Sequence, residues 1–418
     1  MAEILVIGGG AAGMMASLFA ARSGASVTLL ERNEKLGKKV YITGKGRCNL
    51  TNDCDRDTFL SQVPRNPRFL YAALSFFPPQ AMMSLLESAG CPVTVQRGRR
   101  VFPSSEKASD VTRALSFLMR SAGVSVRLNT AVRSLETENG RISAARTASG
   151  ERIPADAVIV CTGGLSYPST GSTGDGYRFA AESGHTVLPA FPVLVGLETA
   201  ESWPRSLQGL SLKNVTLSLV RGKKVLYSEL GEMLFTHFGV SGPLVLEASC
   251  HLPEDLSAVS LRIDLKPGLS PEQLDARLLR DFAASGKKEL RTELNSLLPS
   301  RLADCFPCLA GLPDQLRCSQ ITGEQRHRLG ECLKSLPITV LRPRPVEEAV
   351  VTRGGVSVRE VDPATMRSRL WPNLYFAGEL LDVDAHTGGY NLQIAWATGA
   401  LSGKSAAENE NHPVSEEL

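Results

Sequence analysis

Long apolar runs are missing from this chain. No stretch of about 20 apolar residues, the length that crosses a bilayer, is evident among its 418 residues, so no membrane span is expected. A secretory leader is disfavoured as well. Residues 1–20 carry a glycine turn where a leader needs an uninterrupted apolar core, and no basic segment precedes it. Charge of one sign is also lacking: 46 Lys and Arg against 43 Asp and Glu leave +3. That balance gives no reason to expect nucleic acid or a membrane surface as partner, and Arg97, Arg99 and Arg100 read as a solvated turn. The nine cysteines are odd in number and scattered, which gives no disulfide framework; a reduced, cytoplasmic setting is the expectation. Cys305 and Cys308 form a lone C-x-x-C without the second pair usual in zinc sites, so structural thiols and no metal are expected. No internal repeat is found.

With 43% hydrophobic and 21% charged residues, the composition is that of a globular protein. The chain is long enough for two or three domains. It is organised around its start. Ile4 to Ile7 is an apolar, strand-like run, and Gly8, Gly10 and Gly13 follow at G-x-G-x-x-G spacing. The first glycine permits the tight turn, the second admits a pyrophosphate, and the third lets helix pack on strand. Ala11 and Ala12 open that helix, whose free N–H groups and positive dipole end suit phosphate. Val27 to Leu30 reads as the next strand, closed by Glu31, where a carboxylate would accept from a ribose 2′-OH. Glu31 favours FAD or NAD over NADP. The plainer alternative is a glycine-rich βα turn with no ligand.

Residues 32–57 form a polar loop dense in Gly and Lys, with Gly44, Arg47 and Asn49 as phosphate-type donors. A structureless stretch of this length is functional or disordered. Helical periodicity spans 67–90, interrupted at Pro78-Pro79, and a hairpin at 93–102 turns at Arg97-Gly98. A helix over 108–122 and short strands over 124–128, 131–136 and 141–147 follow. The apolar run Ala157 to Cys161 suits a buried parallel strand. It leads into Thr162, Gly163 and Gly164, and Asp175 is placed to N-cap the helix after it. Past Pro189 the pattern changes to short β segments, then to helices over 271–335. Strand character returns at 338–340, 348–351, 356–359 and 374–377, before a last helix over 391–405 and an acidic tail to Leu418 expected to be disordered. The middle reads as an insertion, giving an FAD-type domain of residues 1–189 and 345–418, a β-barrel of 190–268 and 336–344, and a helical subdomain of 269–335.

Glu379 sits just past the strand Leu374 to Ala377, at the carboxyl edge where open α/β sheets bind ligands. It could meet ribityl hydroxyls. Gly388-Gly389 opens the last helix, whose N-terminus would stabilise negative charge on a reduced flavin. His386, Tyr167 and Tyr390 are candidate proton donors, and His237 is either a barrel residue facing a flavin or a core histidine.

The segments GKKVYITGKGRCNLTN, CTGGLSYPSTGSTGDGY, GEMLFTHFGVSGP, VTRGGV and LYFAGELLDVDAHTGGYNLQIAWATG resemble, in order, the bacterial BaiN-like, YhiN-like or aminoacetone-oxidase family of flavoproteins. The resemblance implies an α/β fold: a Rossmann-like FAD-binding domain of the two-dinucleotide-binding-domain type, with an inserted β-barrel and a helical subdomain. It implies that Gly8, Gly10 and Gly13 line the pyrophosphate and that Glu31, with Arg32 beside it, meets the adenosine ribose. Lys39, Gly44, Arg47, Cys48 and Asn49 would wrap phosphates and flavin. Val132 would touch adenine through its backbone. Thr162, Gly163 and Gly164 would join the cofactor site. Gly378, Glu379 and Asp384, then Gly389, Tyr390, Asn391 and Leu392, would hold the ribityl chain and ring. Cys161 departs from the alanine common there.

The implied activity is an FAD-dependent oxidoreductase: NAD(P)H-linked reduction of an activated double bond, or oxidation of a small molecule, by ping-pong hydride transfer through flavin N5. With no second G-x-G-x-x-G, NAD(P)H would bind transiently, as a co-substrate. A small-molecule substrate would enter beside the insertion, and the protein would be a monomer or homodimer. An amine oxidase using O2 and a flavin-containing RNA-modifying or RNA-binding protein are the alternatives.

Overall fold

The computed structural model describes residues 1–411 and divides into two compact units, Met1–Val193 with Val346–Leu418, and Leu194–Pro345. The acidic tail lies outside the described residues. In the first unit, strands β1 (Glu3–Ile7), β2 (Ser26–Leu30), β3 (Ser125–Arg127), β4 (Ala157–Val160) and β5 (Leu374–Phe376) form one sheet in the order β5-β4-β1-β2-β3. Every pairing is parallel. β1 and β4 are buried almost throughout, as strands covered on both faces must be. The strand from the carboxyl-terminal segment therefore sits directly beside β4, far from it in sequence.

Helix α1 (Ala11–Arg22) follows β1, and α3 (Tyr390–Asn411) lies against it. A Cβ at Gly399 would stand 2.3 Å from the Ala12 carbonyl oxygen, and one at Gly403 2.1 Å from that of Ala16. The two helices can approach this closely only because those positions carry no side chain.

Several sequence expectations change. Residues 32–57 are not structureless: 3₁₀ turns span Val40–Gly46, Thr51–Asn52 pairs with Arg100–Pro103, and a helix runs Arg56–Ser61 with Asp55 capping Thr58 N–H. Pro67–Ser88 does meet a length-and-hydropathy test for a membrane span. It is three pieces, Pro67–Leu70, Tyr71–Phe76 and Pro79–Ser88, the last two separated at the non-helical Phe77, and half of it is buried in this unit. The strands expected at 348–351 and 356–359 are one strand, Val351–Val356, antiparallel to Val187–Val193. Asp175 does not cap its helix α2 (Asp175–Glu182). The N-cap is Gly174 at φ +80°, and the Asp175 carboxylate is drawn instead to Arg32 Nη1 at 2.8 Å.

The second unit holds a closed six-stranded barrel in the order Leu197–Thr199, Gly239–Ser241, Lys224–Phe235, Ser211–Arg221, Val259–Asp264, Leu336–Pro343. Helices Pro271–Ala284, Ser300–Leu309 and Gly323–Lys334 belong to the same unit. The helix Pro243–Ser249 had no periodicity strong enough to be read from sequence, being one short apolar run.

His185 in the first unit is 4% exposed, with Nε2 2.7 Å from Ser368 Oγ and its ring edge-on to Phe376. Burial lowers its pKa below the ordinary 6.5. The unfolded chain then takes up a proton that the native state refuses, so this contribution is complete above pH 6.5 and is lost as pH falls through that value. His185→Phe should therefore show a shallower loss of stability between pH 7.5 and 5.5 than the parent, by at most about 1.4 kcal/mol per pH unit. Parallel urea-midpoint profiles for the two proteins would refute this.

Candidate functional site

At the carboxyl edge of the parallel sheet, turns from distant parts of the chain converge. Gly8 has φ +100°, and a Cβ there would meet the Cys161 carbonyl oxygen at 2.6 Å; one at Gly13 would stand 1.8 Å from the Gly8 carbonyl oxygen. Both glycines are required by protein neighbours. Gly10 is different: an added Cβ meets nothing within 4 Å, and φ is an ordinary −79°. Nothing in the chain itself requires glycine at that position, at the N-terminus of α1. The open space above it fits a pyrophosphate, which needs close backbone approach and the N–H groups of a helix start.

Glu31, 6% exposed, ends β2 with Oε2 accepting from Gly9 N–H at 2.7 Å and Oε1 from Asn33 N–H at 2.8 Å. The carboxylate is thus held against the glycine turn. Arg32 leans the other way, to Thr173 and Asp175. Val132, buried, begins a strand paired with Arg141–Thr147.

The 39–49 segment is tied to the carboxyl-terminal turns. Lys39 Nζ lies 2.6 Å from Glu379 Oε2 and 2.5 Å from Ser166 Oγ. Glu379 Oε1 accepts from Ser166 Oγ at 2.9 Å and Thr352 N–H at 2.9 Å, while Thr352 Oγ1 accepts from the Leu165 and Ser166 N–H groups. Gly164 stands against this knot, its Cβ position 2.6 Å from Thr352 Oγ1. The Asn49 amide, oriented to satisfy its partners, donates to Thr51 and Val101 carbonyls and accepts from Gly389 N–H at 3.0 Å. Gly44, at φ +56°, lets the backbone fold onto Asn49. Arg47 stacks on Phe102 at 4.5 Å and pairs with Glu106. Cys48 is fully buried, and desolvation pushes its thiol up to about 12.

The last turn is shaped by Asn391, which accepts from Ala385 N–H and donates to the Ala385 carbonyl at 2.7 Å. Asn52 Nδ2 bridges the carbonyls of Gly98 and Gly388 at 3.0 and 3.1 Å. Gly378, at φ +78°, passes directly over Ala12. Asp384 is fully buried and paired with Arg353. Tyr390 is buried edge-on to Phe59 at 5.1 Å, Leu392 is partly buried against the core, and His386 Nδ1 lies 3.2 Å from Gln62 Oε1. Tyr167 follows Ser166 of that knot in the left-handed conformation, with N–H donating to the Glu347 carbonyl. The knot residues Ser166, Thr352 and Arg353 escaped sequence reasoning. VTRGGV is visible as a segment, but no spacing rule says that its Thr and Arg turn toward Glu379 and Asp384.

One glycine turn on a parallel sheet, with an acid closing the second strand and a helix N-terminus supplied from the far end of the chain, defines an FAD-binding Rossmann-type flavoprotein. The chain belongs to the family described as the HI0933-like protein Rossmann domain, which matches residues 2–405. It is an FAD-dependent oxidoreductase. It is 34% identical over 415 residues to the 3-dehydro-bile acid delta(4,6)-reductase of Clostridium scindens, covering 98% of this chain and 100% of that protein. It is 29% identical over 398 residues to the ribosomal RNA dihydrouridine synthase of Escherichia coli, covering 95% and 96%. Among solved structures it resembles the 3-ketosteroid-delta4-(5alpha)-dehydrogenase of Rhodococcus jostii, with TM-score 0.52, 16% identity and 97% and 96% coverage. That last likeness speaks to the fold.

Proposed function

We propose that this protein reduces a carbon–carbon double bond conjugated to a carbonyl in a small molecule, with NAD(P)H as donor. The observation that carries this reading is the kind of relative found along nearly the whole chain. One is named as a reductase of delta(4,6) unsaturation and another as a synthase of dihydrouridine; both names describe saturation of a double bond. Bound FAD would supply the hydride chemistry.

The chain's own residues would do the rest. Gly10 and the N–H groups of α1 would hold the diphosphate, and Glu31 the adenosine ribose. The Lys39–Glu379–Ser166 knot would fix the 39–49 segment to the 378–381 turn, and Asn49 would hold the start of α3. His386 would deliver the proton to the carbon next to the carbonyl as the imidazolium, its ring held by Nδ1–H donating to Gln62 Oε1. Tyr390 and Tyr167 are the alternative donors.

A single glycine turn supports transient binding of NAD(P)H and hence ping-pong kinetics. Double-reciprocal plots at several donor concentrations should run parallel, and anaerobic flavin reduction by NADH or NADPH should precede reoxidation by an enone. Intersecting lines, or a flavin that neither nucleotide bleaches, would remove the proposal. Reduction by amines with reoxidation only by O2 would favour an amine oxidase. The name of the Escherichia coli relative favours one second reading, uridine in RNA as substrate; salt-resistant retention of total RNA in a gel shift would support it.

A further inference from the structure

The hairpin turn of the first unit carries Arg97, Arg99 and Arg100, all exposed, and no ion pair is made by any of the three among the described residues. Like charges this close repel, so the cluster does not stabilise the hairpin. Arg99 moreover adopts φ +56°, the left-handed region that L side chains avoid. A solvated turn would be better served by Gly or Asn there.

The turn is anchored beside the proposed site. Asn52 Nδ2 donates to both the Gly98 and Gly388 carbonyls, at 3.0 and 3.1 Å, so the tip of the arginine hairpin and the start of α3 share one amide. Asp53 N–H donates to the Arg99 carbonyl at 2.8 Å, which holds the turn's backbone in place. The hairpin thus carries three exposed arginines, without an ion pair among the described residues, on a turn whose Gly98 carbonyl shares the Asn52 amide with Gly388.

We infer that this turn binds the phosphates of the nicotinamide donor and makes NADPH the preferred form. Guanidinium groups bind phosphate with charge-assisted, often bidentate hydrogen bonds, and the additional 2′-phosphate of NADPH gives three of them more to hold than the diphosphate alone. The inference rests on the proposed NAD(P)H-linked reading.

The test uses FAD-loaded protein and anaerobic stopped-flow reduction by NADPH and by NADH. In the triple variant Arg97→Gln/Arg99→Gln/Arg100→Gln, the apparent Kd for NADPH should rise roughly tenfold or more, with the limiting reduction rate within about twofold and a smaller change for NADH. The triple Arg→Lys variant should recover most of the affinity. Flavin absorbance and melting temperature should match the parent, since the side chains are exposed. Adenosine 2′,5′-bisphosphate should compete with NADPH in the parent and lose that ability in the Gln variant. A parent reduced normally, with variants of unchanged NADPH affinity, overturns the inference alone. A parent reduced by neither nucleotide overturns both it and the donor reading. Loss of RNA retention with intact NADPH affinity assigns the turn to RNA and overturns it as well.

Discussion

Gly10→Val is expected to yield a folded but colourless protein. A Cβ there meets nothing of the chain within 4 Å, and the backbone needs no glycine conformation. The added carbons would occupy the space that the diphosphate of FAD requires, and isopropyl bulk there should abolish retention through purification and on reconstitution. Gly13→Val is the contrasting case. Its Cβ would lie 1.8 Å from the Gly8 carbonyl oxygen, so it should lose soluble yield as well as colour, overpacking of this kind costing about 1–3 kcal/mol or more. Absorbance near the flavin bands, with circular dichroism and urea melts of apoproteins, separates the two. A yellow Gly10→Val protein would show that the glycine turn does not hold the cofactor.

Arg353→Met is expected to cost about 3–5 kcal/mol, the usual loss when one member of a buried ion pair is removed. Asp384 is wholly buried, and Arg353 reaches it through Nε at 3.2 Å and Nη2 at 3.3 Å with only 13% of its side chain exposed. Without the guanidinium, Asp384 must either remain charged in a dry setting or take up a proton. Arg353→Met/Asp384→Asn should therefore recover much of the loss. The urea midpoint of the holoprotein reads the stability, and FAD affinity reads the turn that Asp384 begins and Asn391 closes. A single variant within about 1 kcal/mol of the parent would mean that solvent replaces the guanidinium.

Much of the first unit was legible because its signals are local. Apolar runs of strand length, a glycine turn between strand and helix, and an acid closing the next strand each state a backbone requirement within a few residues. They predicted β1, α1, β2, β4 and β5 and the edge where a nucleotide belongs. The Asp175 cap was misassigned for a reason no local rule contains: Arg32, remote in sequence, takes the carboxylate, and Gly174 in its left-handed conformation starts the helix without it. The interruption read at Pro78-Pro79 holds in Pro67–Ser88, but the further breaks at Leu70 and Phe77, which half-bury it in the unit, carry no such local signal.

By itself, then, the order of residues determined the class of nucleotide site and the family, because the turn chemistry that cradles a phosphate is written in adjacent positions. Which side chains complete that site was decided only in three dimensions. Lys39 with Glu379, Asn49 with Gly389, Asn52 with the arginine hairpin and Arg353 with Asp384 are partners chosen by how β5 slides in beside β4 and α3 settles on α1. Long-range pairing of polar groups leaves no periodicity or spacing, since its cause is the burial that brings them together.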